Sequence, residues 1–486
     1  MKTIVWSTLH TPIFENIARG SGHLMVDAVA GSGKTTTLLE AMRYVPEGKS
    51  CLFLAFNKDI ADELKSRVPE GVTASTFHSL GFQIYRNVFG RKIRVDKFKC
   101  HEIAADLTGS RDEPRLKEWT ASIVKAVGLC KNYLASSTED VEHVLNLHSV
   151  VPPETEEERP KFIRQVQEVL TKCREITDRI DFDDMVWLPV VLKLSGTRYD
   201  IVFVDEVQDL NEVQIALLEK ILKKGGRICA VGDPRQAIYQ FRGAAAGAFD
   251  KIRDRFNATI YPLSVTHRCA KQIVTEAQRF VPYLEAAPDA EEGHVTPCEE
   301  DRMMKECREG DFILSRSNAP LTRICLALLA EGRRAHMQGR TVGTKLQSVV
   351  RRAKGKTVDE MLEKVGRWGK TEIARLEKKG EDTSGIADIL ECIAAIAEGV
   401  TSVQVVLDKI EMLFADGNST TRITLSSTHK AKGMERDRVW LLRNTYLRVR
   451  KGQTETTREE QNLYYVACTR ARHELFLVNN QDGRKK

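Results

Sequence analysis

The stretch Leu24-Met-Val-Asp-Ala28-Val-Ala-Gly31-Ser-Gly33-Lys34-Thr35-Thr36 decides the fold. Leu24 to Val29 reads as a short buried strand and Lys34 to Tyr44 carries helical spacing, so a glycine-containing turn joins strand to helix. At such a joint, backbone NH groups and the helix N-terminus can surround phosphate oxygens. Gly31 and Gly33 permit the close turn, Lys34 reaches the β- and γ-phosphates, and Thr35 offers a hydroxyl to Mg²⁺. Ala30, Gly31, Ser32, Gly33, Lys34, Thr35 and Thr36 are thus candidate ligands of a nucleoside triphosphate. Ala28 stands where the strict motif has its first glycine. A chance glycine-rich turn is the competing reading, and the correct flanks on both sides argue against it.

Working outward, Cys51 to Phe56, Val72 to Thr76, Ile201 to Asp205 and Arg227 to Gly232 repeat the short apolar run. Helical spacing over Asp59 to Val68, and a helix from the N-cap Asn211 through Lys223, alternate with them. The alternation predicts a parallel sheet wrapped by helices. The run Ile201-Val-Phe-Val ends in Asp205-Glu206. Alone, an acidic strand end is a solvated cap; downstream of a phosphate loop, Asp205 is a candidate Mg²⁺ ligand and Glu206 a candidate base for the attacking water. Gly90 to Arg179 is mostly helical, with a Pro/Glu-rich break at Val151 to Pro160. After Tyr261 to Leu263 a second series begins, with Phe312 to Ser315, Ile423 to Ser426, Arg438 to Leu442 and Leu475 to Val478 as strands. Charged, helix-forming sequence from Gly339 to Gly417 interrupts it. Two sheets, each carrying a helical insertion, is the economical architecture.

Length and charge agree with that division. A chain of 486 residues exceeds what one core serves and favours two to four domains. With 42% hydrophobic and 29% charged residues it is a globular composition, not a disordered one. The first twenty residues make a poor secretory signal, and no apolar run approaches a membrane span, so the expectation is a cytoplasmic protein with no membrane partner. Eleven cysteines lie scattered without a CxxC pair, which fits reduced thiols better than zinc or an iron-sulfur cluster. The net charge of +6 is unevenly spread: Glu331 to Gly380 holds 14 basic against 6 acidic residues, and Val281 to Asp311 holds 3 against 10. The basic segment could meet phosphates, although solvated helix faces are the commoner meaning of such charge.

Six further blocks join these two. They are Leu54-Ala-Phe-Asn-Lys-Asp59, Thr76-Phe-His-Ser-Leu80, Val231-Gly-Asp-Pro-Arg-Gln236 running on to Tyr239-Gln-Phe-Arg-Gly243, Thr266-His-Arg268, Thr428-His-Lys-Ala-Lys-Gly433-Met-Glu435, and Tyr465-Val-Ala-Cys-Thr-Arg-Ala471. In this order, spanning nearly the whole chain, they resemble superfamily 1 DNA helicases of the UvrD, PcrA and Rep type, with some likeness to F-box DNA helicases. The resemblance implies an α/β fold class: two RecA-like parallel-sheet P-loop NTPase domains in tandem, each with a mainly helical insertion. The boundaries it suggests are 1–89 and 181–264 for the first domain around an insertion at 90–180, then 265–338 and 418–486 for the second around 339–417.

It also implies roles. Gln236 would contact the γ-phosphate, while Arg268 and Arg470 from the second sheet would act as arginine fingers, stabilising charge on the transferring phosphoryl oxygens. Gly433 and Glu435 would line the ribose and γ-phosphate side of the cleft, with His10 and His267 near the base. Phe56, Tyr239 and Phe241 fall where the family places aromatics against single-strand bases; Asn57, Lys58, Thr76, His78, Arg242 and His429 fall at its other DNA contacts. Stacking holds any base by its π face, so such a groove grips without reading sequence.

Several positions depart from the pattern. His10 and Thr11 occupy the place of the adenine-reading glutamine, His267 that of a stacking tyrosine, and Phe241 that of a tryptophan. Preference for adenine is correspondingly weakened. The second insertion is short and the chain ends within twenty residues of Arg470. This reads as a compact motor without a nuclease-like segment, of a size that bacteria, phages or small accessory helicases use. The expectation is an ATP- and Mg²⁺-dependent helicase, monomeric and nucleoid-associated, translocating 3′ to 5′ on single-stranded DNA and acting at single/double-strand junctions. Replication or repair proteins would be its partners. A translocase that strips proteins from DNA with little unwinding, and a DNA-binding adaptor with a relic ATP site, are the alternatives.

Overall fold

The computed structural model describes residues 6–90, 92–109, 114–148, 150, 158–239, 247–378, 383–414, 421–447 and 457–479. They form two compact units: Met1–Val29 with Gly33–Leu263, and Ala30–Ser32 with Ser264–Lys486.

The first unit holds strands β1 (Leu24–Ala28), β2 (Cys51–Ala55), β3 (Val72–Thr76), β4 (Arg94–Val95), β5 (Arg179–Ile180), β6 (Tyr199–Val204), β7 (Leu222–Gly232) and β8 (Thr259–Leu263). Six of them make one sheet in the order β3-β2-β6-β7-β1-β8, every pair parallel. Burial on both faces explains the uninterrupted apolar runs; Cys51 to Ala55 is buried throughout. Pro262 sits in β8, an edge strand, where its missing NH costs no ladder bond on the open side. The short pair β4 and β5 stands apart from this sheet.

Between β4 and β5 lie the helices Lys99–Thr108, Pro114–Tyr133, Thr138–Leu147 and Arg159–Glu175. Their apolar faces share a core with one face of the sheet, through Ile123, Val144, Phe162 and Val166. Four charges are buried in it. Lys99 Nζ lies 2.7 Å from Asp184 Oδ2, and Lys131 Nζ lies 2.7 Å from Asp181 Oδ2 and 2.8 Å from Asp184 Oδ1. Burial works against the charged Lys131, but Asp184 and Asp181 outweigh it and hold its ammonium well above the usual lysine range.

Two boundaries differ from the sequence reading. The helix capped by Asn211 ends at Lys220, not Lys223, and Leu222 already belongs to β7. The Lys-Lys-Gly-Gly stretch looks like a helix tail but is strand, with Gly225 at φ +77° and a register shift between Tyr199 and Ile201 of the partner. Pro160 is not part of a break: the helix Arg159–Glu175 starts around it, where its fixed φ suits the first turn.

The second unit begins with the small pair β9 (Val265–Thr266) and β10 (Glu285–Ala286), which are parallel. Its main sheet takes β11 (His294–Glu299), β12 (Phe312–Ser315), β13 (Ala335–Met337), β14 (Ile423–Ser427), β15 (Arg436–Leu442) and β16 (Ala471–Asn479) in the order β11-β16-β15-β12-β14-β13. Every pair is again parallel. Trp440 of β15 stacks on Phe476 of β16 with ring centroids 3.9 Å apart. Between β13 and β14 come the helices Arg340–Ala353, Val358–Lys378, Ser384–Ala397 and Val403–Leu413. They bury Leu346, Met361, Ile393 and Ile410 in one cluster with the sheet residues Ile313 and Leu425. All eleven cysteines are unpaired and buried. Among the described residues no helix is long and apolar enough to cross a membrane.

Candidate functional site

In open parallel sheets ligands gather beyond the carboxyl ends of the strands, and the candidate residues of the first unit follow β1, β6 and β7 there. Gly33 caps the helix Lys34–Ala41 with φ +82°, a left-handed conformation that a side chain would strain. Its carbonyl accepts from Thr37 N at 2.8 Å and Thr37 Oγ1 at 3.0 Å, which fixes the first turn that carries Lys34, Thr35 and Thr36. Ala30, Gly31 and Ser32 group with the second unit.

Thr35 Oγ1 donates to Asp205 Oδ2 at 2.7 Å, so the helix start and the end of β6 meet at one point. The other carboxylate oxygen accepts from Glu206 N at 2.9 Å. Asp205 is buried; desolvation first, and the Glu206 charge second, push its carboxyl up to about 6. A hydroxyl beside a buried carboxylate is a hard oxygen donor set of the kind Mg²⁺ takes, and a divalent cation would restore the ionised form. These two residues fit the ion.

Glu206 adopts φ +53° and turns out of the strand direction. Gln208 Nε2 donates to its carboxylate, and Gln208 Oε1 accepts from Asp233 N at 3.0 Å. Asp233 is buried and its carboxyl, raised by that burial, accepts from Gln236 Nε2 at 2.7 Å. A continuous line therefore runs Glu206–Gln208–Asp233–Gln236. Gly232 makes it possible, because a Cβ there would lie 2.5 Å from Gln208 Oε1. Gln208 carries no assignment in the sequence reading; its place two residues after Glu206, on the buried side of a short 3₁₀ turn, is the signal that marks it.

The candidate DNA-contacting residues divide. Phe56 is exposed and its ring lies parallel to that of Tyr239, with centroids 6.2 Å apart and 7° between planes. Asn57 caps the helix Lys58–Lys65 by accepting from Ile60 N at 2.9 Å, with Lys58 exposed beside it. Thr76 is buried and caps the helix Phe77–Phe89, leaving His78 exposed in its first turn. Phe241 and Arg242 lie outside the described residues. His10 is buried, with Nδ1 2.8 Å from Ser7 Oγ and its ring against Trp6 and Phe14. That places it in packing.

In the second unit, Arg268 Nε pairs with Glu435 Oε2, and Arg268 Nη1 donates to Thr469 O at 3.3 Å. Burial alone would raise the Glu435 carboxyl, but Arg268 and Arg472 together outweigh it and hold it below the usual range. Arg470 is fully buried on neutral acceptors: Val466 O at 2.9 Å, Met434 O at 3.1 Å and Thr469 Oγ1 at 3.3 Å. Burial, and then Arg268, lower its guanidinium to about 10. Gly433, with φ +86°, and His267 are exposed next to these groups, and His429 is half-buried in the short helix Thr428–Ala431.

Two parallel sheets, one followed by the Gly31–Lys34 turn and the Asp205–Glu206 pair and the other accompanied by the half-buried Arg268 and buried Arg470, define an α/β protein of two RecA-like domains in tandem. The model of the UvrD/REP helicase N-terminal domain matches residues 11–257. The chain belongs to the UvrD/REP helicase family. It is 24% identical to F-box DNA helicase 1 of Gallus gallus over 495 residues, covering 93% of this chain and 46% of the relative. It is 25% identical to the ATP-dependent DNA helicase PcrA of Staphylococcus aureus (strain NCTC 8325 / PS 47) over 302 residues, 56% of this chain and 40% of the relative. The PcrA of Bacillus subtilis (strain 168) is 27% identical over 294 residues, 55% and 38% of the two chains. The chain thus spans less than half the length of these curated relatives.

Proposed function

We propose that this chain is an ATP-dependent DNA helicase that translocates on single-stranded DNA, 3′ to 5′, and unwinds duplex. The observation that carries the reading is the Thr35–Asp205 bond of 2.7 Å, which joins phosphate loop to acidic strand end, with the line from Glu206 to Gln236 leading away from it. Lys34 binds the β- and γ-phosphates, and Glu206 takes the proton of the attacking water. Gln236 meets the γ-phosphate, and Arg268 and Arg470 stabilise the charge of the transferring group. Thr35 and Asp205 would hold Mg²⁺, which would supply positive charge against the phosphate oxygens. Phe56 and Tyr239 stack on bases, with Lys58 on the backbone. Segments 90–180 and 339–417 serve as accessory insertions. The protein works as a monomer on nucleoid DNA, at single/double-strand junctions, beside replication or repair proteins.

ATPase activity measured with and without single-stranded DNA tests the reading. Turnover should rise with DNA, and Lys34→Ala should abolish it while DNA affinity stays within a few-fold. Lys34→Ala turnover close to that of the unmodified chain would sink the assignment.

A further inference from the structure

Arg268 does not hold Glu435 alone. While Oε2 of that carboxylate pairs with Arg268, Oε1 accepts from Arg472 Nε at 3.1 Å and Arg472 Nη2 at 2.6 Å. Arg472 Nη1 also lies 3.3 Å from Asp437 Oδ1, and the Arg472 carbonyl accepts from Ala270 N at 2.8 Å. One residue of β16 therefore touches Glu435, which immediately precedes β15, and Asp437 within it, and, through the backbone, the segment that carries Arg268. It lies just past the block Tyr465 to Ala471 and has no part in the assignments above.

The division of the carboxylate has an electrostatic consequence. A carboxylate facing one guanidinium can close on it through both oxygens, the strong two-pronged pair. With Oε1 occupied by a second cation, Glu435 holds Arg268 through one oxygen only, and the two guanidiniums repel each other across it. A finger must leave its resting partner to meet the transferring phosphoryl group, so the strength of that hold enters the barrier to turnover. Nucleotide binding in the ground state does not feel it to the same degree.

We propose that Arg472 is a positioning residue for the hydrolysis step: by occupying one oxygen of Glu435 it keeps Arg268 oriented but releasable. The proposal rests on the reading of Arg268 as a finger. Arg472 is exposed at the second position of a paired strand, which makes it suitable for substitution.

The test uses the full chain with single-stranded DNA, and measures kcat, KM for ATP and melting temperature for Arg472→Gln, Arg472→Lys, Arg268→Ala and Glu435→Gln. Arg472→Gln should lower kcat about tenfold, with KM within about twofold and melting temperature unchanged. Arg472→Lys, which restores the positive charge, should recover most of the loss. Arg472→Gln combined with Glu435→Gln should be no slower than Glu435→Gln alone, because the hold that Arg472 tempers is gone. An unchanged kcat in Arg472→Gln, or a loss that Arg472→Lys does not recover, overturns the proposal. If Arg268→Ala itself keeps the turnover of the unmodified chain, the finger reading fails and takes the proposal with it; if Arg268→Ala loses turnover and Arg472→Gln does not, only the proposal falls.

Discussion

At the scale of residues, the local backbone was legible where a motif ties residue type to backbone shape. The spacing gives a close turn at Gly31 and Gly33, a Thr35 hydroxyl at the helix start and an acidic pair ending a buried strand; the left-handed Gly33 and the Thr35–Asp205 bond are what the structure adds. Partnerships formed across the sheet were not legible, since nothing in sequence says that Gln208 reaches both Glu206 and Asp233, or that Arg472 shares Glu435 with Arg268. The aromatics show the same limit. The ring parallel to that of Tyr239 is Phe56, from the turn after β2, a partnership that no spacing announces; Phe241 lies outside the described residues. Alanine at either position should weaken single-strand binding by about 1–3 kcal/mol, with little dependence on base sequence. A salt series separates this from phosphate contacts: the affinity lost in Phe56→Ala should be nearly constant with salt, while the loss in Lys58→Ala should shrink as salt rises. A lowered melting temperature with unchanged affinity would return both rings to packing.

At the scale of elements, the buried central strands read clearly because both faces are covered and the runs are apolar throughout. The edges of the second sheet, β11 and β13, did not, although β3 and β8 at the edges of the first did. The acidic stretch Val281 to Asp311 contains β11, whose Pro297 and flanking carboxylates are tolerated on a strand with one partner; the three-residue β13 closes the opposite edge. β1 holds an element-level conflict of its own. Asp27 sits in the strand before the phosphate loop, and burial first, then the Asp233 charge, push its carboxyl up to about 6 against the opposing Arg235 and Lys34. An acid whose folded pKa exceeds its unfolded value stabilises the fold through its protonated form. That contribution is fully present below about pH 4, the unfolded value, and is lost as pH rises through 6. Asp27→Asn lacks the penalty. Relative to the unmodified chain, its stability should therefore climb between pH 4 and 7.5 by on the order of 1–2 kcal/mol, discounted for the partial exposure of the side chain. Urea unfolding of both proteins at the two pH values measures it, and an equal gap at both would show that Asp27 titrates normally.

At the scale of the whole molecule, the two-sheet plan was readable because the motif blocks recur at strand ends in a fixed order, and the helical insertions because their periodicity and charge differ from the sheets around them. Direction of movement is a property at this scale. A single strand is polar, and a motor that grips it through stacking rings and backbone contacts in a fixed order meets the two ends differently. Moving 3′ to 5′ on the strand it holds, the chain would run from a 3′ tail into the adjoining duplex, but from a 5′ tail it would run off the end. Duplexes with a 3′ tail should therefore be unwound in the presence of ATP and Mg²⁺, while those with a 5′ tail or blunt ends should stay paired at the same enzyme concentration. Both tails should stimulate hydrolysis alike, because stacking and backbone contacts grip either strand without regard to where the duplex lies. Strand displacement and ATP turnover measured on the same substrates check the two halves together. Unwinding from the 5′ tail alone would reverse the polarity, and tail-independent hydrolysis with no displacement from either end would favour a translocase that clears proteins from DNA over one that separates strands.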